Sequence, residues 1–180
     1  MDILSTRIEY RHDSETHIAT VRHPPVSMTR VELIRKLLGA GCSLIPNVER
    51  VPSYFNSLDR NIQRAIVEQH LELLPLYGLR MRGNAQIDST LVEQIGTLSE
   101  LELLELDADR PVAPEALASL RPLTHLEVLI LRGASFRDDH CEAIPKLSSL
   151  RSIDVQRTGV SQNGAKRLRD KFPDAVIYVS

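Results

Sequence analysis

Three clusters of residues in the 180-residue chain have types and spacings that chemistry could use. Cys141 follows His140, the pairing of a thiol with a base that nucleophilic catalysis employs. His12, His17 and His23 fall within one short stretch and could offer imidazoles to a metal. Asp138 and Asp139 follow Arg137 as paired carboxylates, the groups used in general acid–base work. Each cluster also has a structural reading. Cys141 occupies an inward helical slot, where a buried thiol is inert, and its neighbour His140 points in a different direction. Two cross-strand histidines do not complete a tetrahedral site, and no cysteine stands at ligand spacing. Acidic residues where a helix begins are favoured by capping and by the helix dipole. The glycines form neither G-x-G-x-x-G nor a P-loop. We therefore expect no catalytic residues, no cofactor and no metal, and the chain reads as a non-enzyme.

Composition narrows the class further. With 42% hydrophobic and 26% charged residues, the chain reads as globular, not disordered. Its length suits one large domain or a small domain plus a cap, and either buries a core. A formal charge of -2 and a pI near 6.3 leave no footprint for nucleic acid or an anionic membrane. No run approaches the ~20 apolar residues of a membrane span. The start, MDILSTRIEYRHDSETH, lacks the basic-then-apolar layout of a signal peptide. Cys42 and Cys141 are far apart and form no disulfide framework. These features point to a reducing, cytoplasmic setting.

The elements that must position the clusters follow a repeat. LYGLRMRGNAQI begins at Leu76, LELLELDADRPV at Leu101, LEVLILRGASF at Leu126 and LRSIDVQRTGV at Leu150, with a partial unit, AVIYVS, from Ala175. The starts are 25, 25, 24 and 25 residues apart, a period that signals stacked units. Each opening phrase alternates as a strand does, directing Leu79 and Met81, Leu104 and Leu106, Leu129 and Leu131, and Ile153 and Val155 inward. After a turn, Ile87, Val112, Phe136 or Val160 adds another inward residue. The period then becomes helical: Val92, Ile95 and Leu98; Leu117, Leu120 and Leu123; Cys141, Ile144 and Leu147; Ala165, Leu168 and Phe172. Asp88, Pro114, Asp138 and Ser161 mark the helix starts.

The pattern L-x-x-L-x-L followed by a small or polar residue and another apolar one resembles the leucine-rich repeat family. With helix-length convex segments, the likeness is to its strand–helix, ribonuclease-inhibitor-like subclass, and the closing phrases resemble short bacterial tandem repeats. The resemblance covers residues 76–180. It implies an α/β fold: a right-handed solenoid arc of parallel strands with outer helices. Asn84 sits where the family places an asparagine that bonds the backbone turn. The later units carry Asp109, Ala134 and Thr158 there, which implies an irregular turn stack.

Residues 1–75 lack the repeat and read as an α+β cap, since a solenoid's open end needs covering. RIEYRH-DSET-HIATVRH suggests a hairpin with a four-residue loop, pairing His12 with His17, Tyr10 with Ala19 and Ile8 with Val21. TRVELIRKLLGAG suggests a helix with Thr29 and Glu32 as a capping box and Gly39 or Gly41 as its stop. CSLIPNV suggests a short strand, and SLDRNIQRAIVEQHLELL a second helix.

Outward strand positions form the candidate site. In register, Arg80 lies beside Glu105, Ile130 and Asp154, and Arg82 beside Asp107, Arg132 and Gln156. Tyr77, Glu102, Glu127 and Arg151 form a third row. Two readings stay open: exposed charge ladders that neutralise each other, or a mixed-charge face that a protein partner reads. The expectation is a non-catalytic protein-interaction module or scaffold. A small enzyme or ligand-binding activity in residues 1–75, or a purely structural subunit, is the alternative. The projected face of roughly 400 Å² is about half of a standard interface per partner, so a tight partner would need further surface. AVIYVS is expected as a parallel edge strand. A monomer is favoured, with antiparallel edge pairing to a second copy as the alternative.

Overall fold

The structure, a computed structural model, describes residues 5–12, 15–22, 28–47, 75–82, 87–108 and 110–179. The predicted helix over residues 57–74, together with His23, Asn84 and Asp109, lies outside them. Strands β1 (Ser5–His12) and β2 (Glu15–Arg22) form an antiparallel pair. Its register corrects the expected one. His12 faces Glu15, Tyr10 faces His17 and Ile8 faces Ala19, two residues away from the predicted pairing. The connection is therefore two residues long, the commonest hairpin length, and an even shift preserves the strands' alternation.

Helix α1 (Met28–Gly39) begins two residues earlier than the capping box required, which places Thr29 inside the helix. It stops at Gly41, whose φ is +82°. There Cys42 N–H donates to Leu37 O and Gly41 N–H donates to Leu38 O, both at 3.0 Å. This is the Schellman arrangement, in which a residue without Cβ takes the left-handed conformation. Strand β3 (Ser43–Pro46) follows and pairs antiparallel with β4 (Leu76–Met81).

From β4 onward the sheet is parallel: β5 (Leu103–Asp107), β6 (Val128–Arg132), β7 (Ser152–Asp154) and β8 (Val176–Tyr178), giving an open six-stranded order β3-β4-β5-β6-β7-β8. The connecting segments hold α2 (Ser89–Ile95), a 3₁₀ helix (Pro114–Leu120), α3 (Asp138–Ala143) and α4 (Gln162–Lys171). Two of these are less helical than the periodicity suggests. Pro122 follows the 3₁₀ segment closely. Ile144, preceding Pro145, is extended at ψ 123°, since proline disfavours the helical region for the residue before it.

Packing explains why the units stack. Leu79, Leu104, Leu129 and Ile153 are lateral neighbours in the ladder, and all are fully buried. Behind them lie Val92, Ile95, Leu117, Leu120, Cys141, Ile144, Ala165 and Leu168, also buried. Val160 is half-buried where full burial is expected. One hydrophobic cluster runs from Leu33 of α1 to Phe172. Fully burying such an aliphatic side chain contributes roughly 1.5–3 kcal/mol. The buried pair Arg30–Glu100, at 2.8 Å, ties α1 to the turn after α2.

Caps join units as well as starting helices. Asp88 accepts from Leu91 N–H at 2.7 Å, and Ser161 accepts from Asn163 and Gly164 N–H. Asp138 is no cap of its own helix, where Arg137 holds that position. Its carboxylate accepts from Ser161 N–H and Oγ–H, at 2.7 and 2.6 Å, in the next unit. These bonds hold its pKa below the ordinary carboxylate value.

The turn after β6 requires Gly133. Its φ is +104°, and a Cβ there would lie 2.2 Å from Ala108 O. We predict that Gly133→Ala destabilises the protein by about 2 kcal/mol or more, through positive φ and backbone displacement. Denaturant unfolding measures this. A midpoint equal to wild type would show that the turn tolerates a Cβ.

Candidate functional site

The open face of the sheet is built by residues alternating with the buried ladder. Arg80, Glu105, Ile130, Asp154 and Tyr178 are successive lateral neighbours across β4–β8, and Asp107 pairs with Arg132. Tyr77, Glu102, Glu127 and Arg151 also line up. Glu102 N–H donates to Tyr77 O, Glu127 N–H to Glu102 O and Arg151 N–H to Glu127 O, at 2.8–2.9 Å. Of the expected face residues, Arg82, Glu127, Arg151 and Gln156 are exposed. Tyr77, Arg80, Asp107, Ile130, Arg132 and Asp154 are half-buried, and Glu105 is buried.

The row from Arg80 to Asp154 aligns as predicted, and Arg80 lies 3.5 Å from its lateral neighbour Glu105, but the closer ion pairs run along diagonals. Arg82 donates bidentately to Glu105, Nε to Oε1 at 2.8 Å and Nη2 to Oε2 at 2.9 Å. Arg132 Nη2 donates to Asp154 Oδ2. Long side chains reach the diagonal neighbour two residues along, and the planar guanidinium fits a carboxylate as a fork. Among the described residues no hydrogen bond or ion pair reaches the Asp107 carboxylate, which acts on Arg82 and Arg132 through its charge.

Near the carboxyl ends of the strands the face opens into a polar cleft of about 570 Å³, with Arg82, Asp107, Arg132, Gln156 and Arg157 in its lining. Arg157 was not singled out in the sequence. It stands at the turn position that Gly133 occupies one unit earlier, and its φ is +57°. A non-glycine residue there bears a cost of about 1–2 kcal/mol. An arginine at a glycine-type turn position is the sequence signal that marks it. Asn47 was also missed: its Nδ2–H donates to Glu102 Oε1 at 3.3 Å.

Two of the three chemical clusters, Cys141 with His140 and Asp138 with Asp139, make contacts within the fold. Cys141 is 1% exposed, and burial pushes its thiol up to about 11, with the charge of Asp138 adding to the effect. The His140 ring nitrogens engage Val112 O at 2.8 Å, Arg137 N–H at 3.2 Å and Asp139 Oδ1 at 2.8 Å. Asp138 belongs to the Ser161 cap. The hairpin register places His12 and His17 opposite Glu15 and Tyr10, not opposite each other. Among the described residues no group of three His, Cys, Asp or Glu could hold a metal, and no helix is long and apolar enough to cross a membrane.

Comparison with known proteins finds no matching family model and no curated protein of significant similarity.

Two predictions follow from the burial and charge of these groups. With Cys42 replaced by Ala, Cys141 reacts slowly with a thiol reagent in the native state and rapidly after denaturation; fast native labelling would contradict its core placement. For Asp154, burial opposes ionisation most strongly. The hydrogen bonds from Arg132 and Gln156 N–H and the charges of Arg132 and Arg157 outweigh it, so its pKa lies below the ordinary 3.8. A depressed folded-state pKa contributes stability above the unfolded value, and this is lost as pH falls through the folded value. Asp154→Asn should therefore cost roughly 1 kcal/mol at pH 7 and narrow the stability difference from wild type below pH 4. Denaturant midpoints across that range measure it; an unchanged difference would remove Asp154 from the account.

Proposed function

We propose that residues 76–180 are a leucine-rich-repeat solenoid of the strand–helix subclass, capped by residues 1–75, and that its open strand face is a non-catalytic protein-binding surface. The observation that carries this reading is the lateral register of the outward residues. Successive strands place Arg80, Glu105, Ile130, Asp154 and Tyr178 in one continuous row. Such a row gives a partner charged, aliphatic and aromatic contacts on a rigid support, the mixture found at protein interfaces.

The cap reading is supported by the antiparallel β3–β4 pairing and by α1 residues Leu33, Ile34 and Leu37 within the common hydrophobic cluster. Two buried free thiols suit a reducing compartment, which is where we place the protein.

A photo-crosslinking residue tests the binding face. Placed at Gln156, it should capture a defined protein from native extract, and Arg80→Ala/Arg82→Ala/Arg132→Ala should reduce that capture at least about five-fold, as loss of several charge contacts does. Placed at Glu115, on the helical side, it should not. Capture at Glu115 alone, or capture indifferent to the triple change, would move the binding surface elsewhere.

A further inference from the structure

The two arginines of β4 share one acid. Both oxygens of Glu105 are bonded by Arg82, and this carboxylate lies beneath the arginines at 7% exposure. Arg80 comes only within 3.5 Å of Glu105 Oε2, with its side chain 40% exposed. Its Nε–H is shielded from solvent and has no hydrogen-bond acceptor among the described residues. This nitrogen is the one that faces Glu105 Oε2, so a ligand reaches only the exposed outer end of the Arg80 guanidinium. Arg82, 63% exposed, keeps the Nη1 donors that Glu105 does not use. Ser43 adds a hydroxyl. It is exposed and directly opposite Arg80 in the β3–β4 ladder, hence on the same face.

We propose that Arg80, Arg82 and Ser43 form a receptor for a carboxylate side chain of an acidic peptide segment. This rests on reading the strand face as a binding surface and names the partner's chemistry. An incoming carboxylate engages the exposed end of the Arg80 guanidinium and the open edge of Arg82 through charge-assisted hydrogen bonds. The buried Glu105 holds both guanidiniums in place beforehand, so little side-chain freedom is lost on binding. Ile130, half-buried on the next strand but one, offers an apolar contact to a neighbouring residue of the same segment. Asp107 lies beyond Arg82, and Glu102 and Glu127 lie at the strands' other ends. These acids confine the favourable potential to one or two negative charges, which suits an acidic side chain and opposes a long polyphosphate.

Fluorescence anisotropy with the full chain tests the proposal, using a labelled ten-residue peptide of glutamates and leucines with glutamine and lysine counterparts. The glutamate peptide should bind about ten-fold more tightly than the glutamine peptide, the lysine peptide most weakly, and added salt should erode the preference. Arg80→Gln should weaken glutamate-peptide binding by roughly five- to ten-fold while moving the denaturant midpoint little, because the Arg80 side chain's contact with Glu105 is a long ion pair of 3.5 Å. Lys166→Gln/Arg169→Gln, on α4, should leave binding unchanged. No binding of the glutamate peptide, equal binding of the glutamine peptide, or indifference to Arg80→Gln overturns the acidic receptor. Inorganic phosphate competing at far lower concentration than acetate overturns the choice of a carboxylate. If Ile130→Asp still abolishes binding of a peptide without charge preference, the strand-face reading survives alone. If only the α4 changes abolish binding, both readings fall.

Discussion

Everything in residues 76–180 depends on one repeated contact, the burial of an aliphatic side chain on each strand against the same position of the strand before it. A single unit has a strand face and a helical face to bury and too little material to bury either. Leu104, between Leu79 and Leu129 in the ladder, is dry because units stand on both sides of it. The stack is also what places the outward residues, since side chains on a strand alternate and the inward register fixes the outward one. The charged face is a consequence of the leucine ladder.

Much of this was legible in the sequence because it is periodic. The starts from Leu76 to Ala175, the inward residues, and the outward row from Arg80 to Asp154 follow from spacing, and the ladder pairs them as read. Features that depend on reach or on competition between neighbours were not legible. Arg82 bonds Glu105 in place of its lateral neighbour Asp107, because guanidinium and carboxylate meet better along the diagonal. Asp138 caps the following unit, a contact 23 residues away that no local signal marks. Ile144 leaves the helix because Pro145 follows, and in that instance proline overrides periodicity. The hairpin register could not be settled by pattern, since a shift of two residues leaves the pattern unchanged.

The polar contacts serve the same stacking. Besides the Asp138–Ser161 cap, Ser149 Oγ–H donates to Leu126 O at 2.7 Å, and Ser135 Oγ–H to Ala108 O at 3.2 Å. His140 Nε2 meets Val112 O one unit back. The last three engage a backbone carbonyl of the preceding unit. They specify how far one unit is displaced from the next, while the leucines supply the larger share of the free energy.

Hydrogen exchange measured strand by strand, on wild type and on Leu104→Ala, tests the dependence on stacking most directly. The cavity should cost about 2–5 kcal/mol. If the units stand only by contact with their neighbours, protection falls in β4 and β6 as well as in β5, by comparable amounts. Loss of protection confined to β5, with β4 and β6 as in wild type, would contradict the account.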